Sequence, residues 1–172
     1  MDQLTHTINR MIQSSGARLY QCAQSVENDE FFLEPAAGAS IAWTLGHIIN
    51  SQDYFVSRIV NSKRKYEKYE EVFRGGRVLT QRDFAKYPSR EAFITDYRRC
   101  HERTVNELVA FDTKQWNLFI EPKNVGDSAY ASPGMMWEFL ARHTFYHLGQ
   151  LSITSKSLSQ HATLLYPNLS LE

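Results

Sequence analysis

The placement of helix breakers constrains this chain more than any other feature. Its five prolines fall at positions 35, 88, 122, 133 and 167, and only eight glycines accompany them in 172 residues. Proline lacks the amide hydrogen that a helix interior needs and disfavours helical geometry in the residue before it, so these positions mark boundaries. Between them lie stretches with apolar residues three and four apart, the pattern of amphipathic helices. The first covers about 2–26, with Leu4, Ile8, Met11, Ile12, Leu19, Cys22, Ala23 and Val26 on one stripe. The second covers about 41–61 behind Ser40, a good N-cap. The third follows Ser89 to about 111 with Phe93, Tyr97, Cys100, Thr104, Leu108 and Phe111. The fourth opens on Ser132-Pro133, a cap followed by proline at the first helical position, and runs to about 158. Residues 27–39 read as a linker and 112–131 as irregular. Residues 62–88 read as a long charged crossover with room for one short helix. The expected fold is all-α, a single four-helix bundle domain over 1–172, with its long connection between the second and third helices.

Charge and cysteine usage narrow the classes of function. Nineteen basic residues balance nineteen acidic ones, so no domain-wide positive field would hold a phosphate backbone, and nucleic acid is not an expected partner. The run Lys63-Arg64-Lys65 reads as a solvated face. No apolar window is long enough to span a membrane, and residues 1–15 lack the apolar run of a secretory signal. Cys22 and Cys100 lie far apart within helical patterns and read as reduced core residues. Together these point to a cytoplasmic protein.

The second helix has two faces. Ile41, Leu45, Ile48, Phe55 and Ile59 form an aliphatic stripe, and Trp43, His47, Asn50 and Tyr54 form an aromatic-polar one nearly opposite. Such a helix buries both sides, one in the core and the other in a cleft or against a partner subunit. Gly46, beside His47, leaves room for a backbone or ligand to approach.

The fourth helix carries the most informative pattern: Met136, Leu140, His143, His147, Leu151, Thr154 and Leu158 share one stripe. Histidines four apart project from one face about 6 Å apart along the axis, and both rings can turn toward one ion. Neutral imidazole suits zinc, nickel, copper or ferrous iron. Burial sharpens the point, since polar rings in a core need a metal or hydrogen-bond partners; the spacing alone leaves both open. His47 is the candidate third ligand. His101 lies at the flank of its stripe, and His6 and His161 have no partner at ligand spacing. His143 to His147 has the spacing of a zinc-peptidase helix, but Thr144 stands where the general-base glutamate belongs.

Two segments resemble a known family. Ser40-Ile41-Ala42-Trp43-Thr44-Leu45-Gly46-His47-Ile48 resembles the second-helix motif of the DinB-like metal-binding bundles, and His143-Thr144-Phe145-Tyr146-His147-Leu148-Gly149-Gln150-Leu151 resembles their last conserved helix. The resemblance implies an up-down-down-up bundle, commonly a homodimer, with His47, His143 and His147 as a metal triad near one end. It implies zinc or nickel, sometimes iron. It also implies activities ranging from transfer with a low-molecular-weight thiol, through thiol-dependent isomerisation, to hydrolysis.

Three histidines leave a coordination position for water or thiol. Asn50, one turn beyond His47, could reach such a ligand; Tyr54 and Tyr146 could line the cleft; Gln150 could support a histidine or bridge helices. Three readings therefore stand: a metal-dependent transferase using a small thiol, or hydrolase; a metal-binding stress or interaction protein without turnover; and a plain bundle with satisfied core histidines.

Overall fold

The computed structural model describes residues 2–34, 39–76, 81–122 and 130–157, all helical or irregular among those residues. The helices are α1 (Gln3–Ser25), α2 (Asn28–Phe32), α3 (Ile41–Ile59), α4 (Glu70–Phe73), α5 (Gln81–Phe84), α6 (Arg90–Ala110) and α7 (Pro133–Ser157). The four long ones match the four sequence segments to within two residues at each end. The sequence boundaries at Pro35 and Pro167, together with His161, Gly126 and Leu158, lie outside the described residues. No helix among the described residues is long and apolar enough to cross a membrane.

Side-chain oxygens cap all four long helices. Ser40, Ser89 and Ser132 accept from the amides of Trp43, Ala92 and Met135, and Asp2 accepts from Thr5. Each satisfies one of the orphan amides of a first turn and contributes about 1 kcal/mol. Two residues past the end of α3, Asn61 adopts a φ of 48°. The Ser62 amide then donates to Ser57 and that of Asn61 to Arg58, a closure that turns the chain out of the helix.

α1 packs on α6 and α7, and α3 packs on the same two. Two apolar clusters fill the interior. One gathers Leu19, Leu45, Ile48, Tyr97, Cys100 and Leu151; the other gathers Ile8, Ile12, Val56, Leu108, Trp137 and Leu140. Among the sequence-assigned core positions, Leu4 is the departure: on the first turn of α1, it is 54% exposed.

The connections differ more from the sequence reading than the helices do. The linker after α1 contains α2, and Phe31 on it is fully buried. The crossover after α3 is also built into the core. It forms a 3-10 turn at Glu67–Tyr69, then α4 and α5, and it buries Tyr69, Val72 and Phe73. Arg64 corrects the reading of Lys63-Arg64-Lys65 as a solvated face. Its Nε donates to Asp53 Oδ2 at 3.1 Å, its Nη2 to Asn50 Oδ1 at 2.7 Å, and its Nη1 to Glu70. Asp53 is fully buried and also accepts from Arg103 Nη1 at 2.8 Å and from the amides of Lys65 and Tyr66. These donors satisfy both carboxylate oxygens without water. The cluster fixes the start of the crossover to α3 and α6, and the crossover then lies over the aromatic-polar face of α3.

Candidate metal centre

Each proposed histidine comes from an element whose local chemistry fixes its direction. His143 and His147 stand on adjacent turns of α7. His47 stands on α3, which packs against α7. Nε2 of His143 lies 3.1 Å from Nε2 of His47 and 3.0 Å from Nε2 of His147. The ligand atoms of all three lie within 4.8 Å of one another, with His47 and His147 buried and His143 half-buried.

The opposite ring nitrogens determine the tautomers. Nδ1 of His47 lies 2.7 Å from the carbonyl oxygen of Phe73. A carbonyl only accepts, so this nitrogen carries the proton and Nε2 is a bare lone pair. Nδ1 of His147 lies 2.7 Å from Oε1 of Gln150, whose Nε2 donates to the Tyr146 hydroxyl at 2.8 Å. With the amide oxygen of Gln150 facing the ring, Nδ1 of His147 donates to it, and Nε2 of His147 is then also a lone pair. A proton on Nε2 of His143 would serve one of these two neighbours and leave the other without a donor. Three inward-facing nitrogens of this kind fit a cation. Nitrogens about 2.0–2.1 Å from one ion can be separated by up to about 4 Å, and both short separations fall inside that limit.

Burial keeps the rings neutral, the form a metal requires. Desolvation pulls His143 down to about 2, helped by the charges that His147 and His47 would carry. Desolvation also pulls His147 down to about 4, with His47 adding to the effect and Gln150 opposing it. His47 is lowered by burial against the opposing pull of the Phe73 carbonyl.

Aromatic rings hold the imidazoles in place. Trp43 stacks on His47 with centroids 4.8 Å apart and planes 6° from parallel, and Phe139 stacks on His143 at 4.8 Å. Each lies four residues before its histidine, a spacing visible in the sequence, although neither ring was assigned to the site on that basis. Phe73 was not legible at all. Its ring fills the notch at Gly46, where a Cβ would lie 2.4 Å from Phe73 Cδ1. Gly46 therefore makes room for the crossover. A Cβ on Gly149 would meet nothing within 4 Å, so this glycine serves no close packing among the described residues.

The remaining sequence candidates divide. Gln150 and Tyr146 adjoin the cluster through His147. Asn50 is directed elsewhere, its side-chain oxygen taken by Arg64. Tyr54 packs on Phe55 with the guanidinium groups of Arg58 and Arg64 within 5.7 and 5.6 Å of its ring. The crossover thus meets the second face of α3 at His47, through Phe73, and at Asn50 and Tyr54, through Arg64. His101, left aside in the sequence, is inserted against Gly16 of α1 and stacked on Tyr97.

The fold and the convergent imidazoles define an all-helical protein with a three-histidine cluster able to hold a metal ion. The DinB superfamily profile matches residues 11–151, most of the chain, and the protein belongs to that superfamily. No curated protein matches it.

Proposed function

We propose that the protein binds one divalent metal ion through Nε2 of His47, His143 and His147, and that it is a metal-dependent transferase acting with a low-molecular-weight thiol, or a hydrolase. The observation that carries this reading is the pair of pinned Nδ1–H groups, which leave lone pairs on His47 and His147 aimed at a third imidazole. Zinc and nickel suit an all-imidazole set best, and iron is accommodated. When bound, such an ion lowers the pKa of a water or thiol toward neutrality and so provides a nucleophile at ordinary pH. The chain's own contribution is positional. The Phe73 carbonyl and the Gln150 amide orient two imidazoles and raise their basicity as ligands. Trp43 and Phe139 shield the rings from water.

The same reading takes the bundle as up-down-down-up, homodimeric and cytoplasmic. The direction of the cross-helix bonds supports the topology. Thr154 near the end of α7 donates to Ala39 just before α3, whereas Cys100 and Arg103 meet Ile49 and Asp53 in the same order along α6 and α3. Tyr97 near the start of α6 donates to Gly16 in the second half of α1.

Metal analysis of protein purified without nickel chromatography tests the metal. One equivalent is expected. No bound metal, with His147→Ala unchanged in metal content and melting temperature, overturns the reading. Conjugation and hydrolysis assays with several thiols test turnover; activity lost on chelation and restored by one metal is expected.

A further inference from the structure

The indole of Trp43 touches two of the three clustered imidazoles. It stacks on His47 with the planes 6° from parallel, and it meets His147 edgewise with centroids 6.4 Å apart. The Nε1–H of this ring is shut off from solvent and has no hydrogen-bond partner among the described residues. Indole nitrogen is a donor only. A buried donor left unpaired is costly, and one beside a candidate metal centre calls for an acceptor from outside the chain.

The acceptors beside the cluster are already engaged. The Phe73 carbonyl receives the proton of His47, and the Gln150 oxygen that of His147. The Nε2 lone pairs are the metal's. Trp137 also has an unpaired indole N–H, but its setting differs: it packs in the second apolar cluster, with its ring against Phe111. Three neutral imidazoles leave the charge of a divalent ion uncompensated, which favours an anion as the next ligand. Resting on the metal reading above, we infer that Trp43 is a ligand-positioning residue. Its Nε1–H donates to the group at the coordination position the histidines leave, and that group is the thiolate of a small thiol. On binding, the thiol gives its proton to solvent, its sulfur takes the place of water on the ion, and the indole donates to the sulfur. The stack on His47 holds the indole plane in place before the thiol arrives.

Zinc-loaded, isotope-labelled protein tests this without turnover, by nuclear magnetic resonance of the indole N–H groups. The probe is 2-mercaptoethanol. The Trp43 indole proton is expected to move downfield and exchange more slowly with solvent as the thiol is added, while that of Trp137 stays in place. A second measurement uses cobalt(II), on which bound sulfur gives a near-ultraviolet charge-transfer band. Trp43→Phe keeps an aromatic ring on His47 and removes the N–H. It is expected to weaken 2-mercaptoethanol about tenfold, the scale of one hydrogen bond to a charged group, with cobalt content unchanged. An unmoved Trp43 proton in parent protein that has bound the thiol overturns the inference, and this readout does not depend on the variant folding. Equal thiol affinity in parent and variant also overturns it. Metal taken up with no thiol bound removes this inference and leaves the metal reading standing. Failure of the parent to take up zinc or cobalt overturns both.

Discussion

His47 donates from Nδ1 to the carbonyl oxygen of Phe73, 26 residues along the chain and 2.7 Å away. This bond joins a histidine of α3 to the crossover, and the Phe73 ring fills the notch that Gly46 leaves in the same helix. The orientation of one candidate ligand therefore depends on how a connection packs.

Gly46→Ala tests that dependence. The added methyl would meet the Phe73 ring, so the ring must move and the carbonyl with it. Overpacking of this kind destabilises by about 1–3 kcal/mol, and the metal affinity should fall in parallel. Gly149→Ala is the comparison: it meets nothing, sits in a helix, and should stabilise by up to about 1 kcal/mol. Urea denaturation and metal titration of both variants check the contrast. Equal behaviour of the two would remove the role assigned to Phe73.

Metal addition should raise the melting temperature. At a free concentration one hundred times Kd, a ligand bound only by the folded state adds about 2.7 kcal/mol, which is about 5–10 °C for a chain of this size. Differential scanning fluorimetry with zinc or nickel should show the shift in the parent and none in His143→Ala.

Gln150 should act on the metal through His147. Replacing its amide by Gln150→Leu removes the acceptor for Nδ1 and frees the ring to rotate. Loss of such a support lowers metal affinity about 10–100-fold. Chelator competition measures the affinity, and nitrogen chemical shifts of His147 report whether its tautomer becomes mixed.

Acid should weaken the fold through His101. Burial lowers this imidazole to about 4, well below the ordinary value of 6.5. The folded pKa is below the unfolded one, so the unfolded chain binds the proton first as pH falls. The stabilisation is fully present above pH 6.5 and is lost as pH drops toward 4. In metal-free protein the urea midpoint should fall between about pH 7 and pH 5, and His101→Gln should flatten that slope. A slope unchanged by the substitution would show that other groups carry it.

Asp53 should be the most damaging single position. Removing a buried charge that balances Arg64 and Arg103 costs about 3–5 kcal/mol, because both guanidinium groups lose the buried carboxylate they share. Asp53→Ala should also open residues 62–76 to limited proteolysis, since the amides of Lys65 and Tyr66 are anchored on this carboxylate.

The long helices, their caps and the shared stripe of His143 and His147 were legible in the sequence. Proline positions, Ser caps and three-to-four periodicity act over a few residues, and local rules read such signals directly. The aromatic-polar stripe of the second helix offered His47 as third ligand and the family motif supported it; the structure brings its Nε2 to 3.1 Å from that of His143. The stacking of Trp43 and Phe139 on histidines four residues later was not read from the sequence, although the spacing is present in it. The tertiary structure decided the rest. Asn50 lies on the same stripe as His47, yet its oxygen goes to Arg64, because a charged donor from the crossover reaches it first. Arg64 itself looked like one member of a solvated basic run, and only the buried carboxylate of Asp53 makes it a structural cation. The Phe73 carbonyl has no sequence signature, since almost any residue could present the same group. Local chemistry thus fixes which helices form and which histidines share a face. Which second groups orient those histidines is set by long-range packing, where a backbone oxygen or a paired charge acts through its position rather than its residue type.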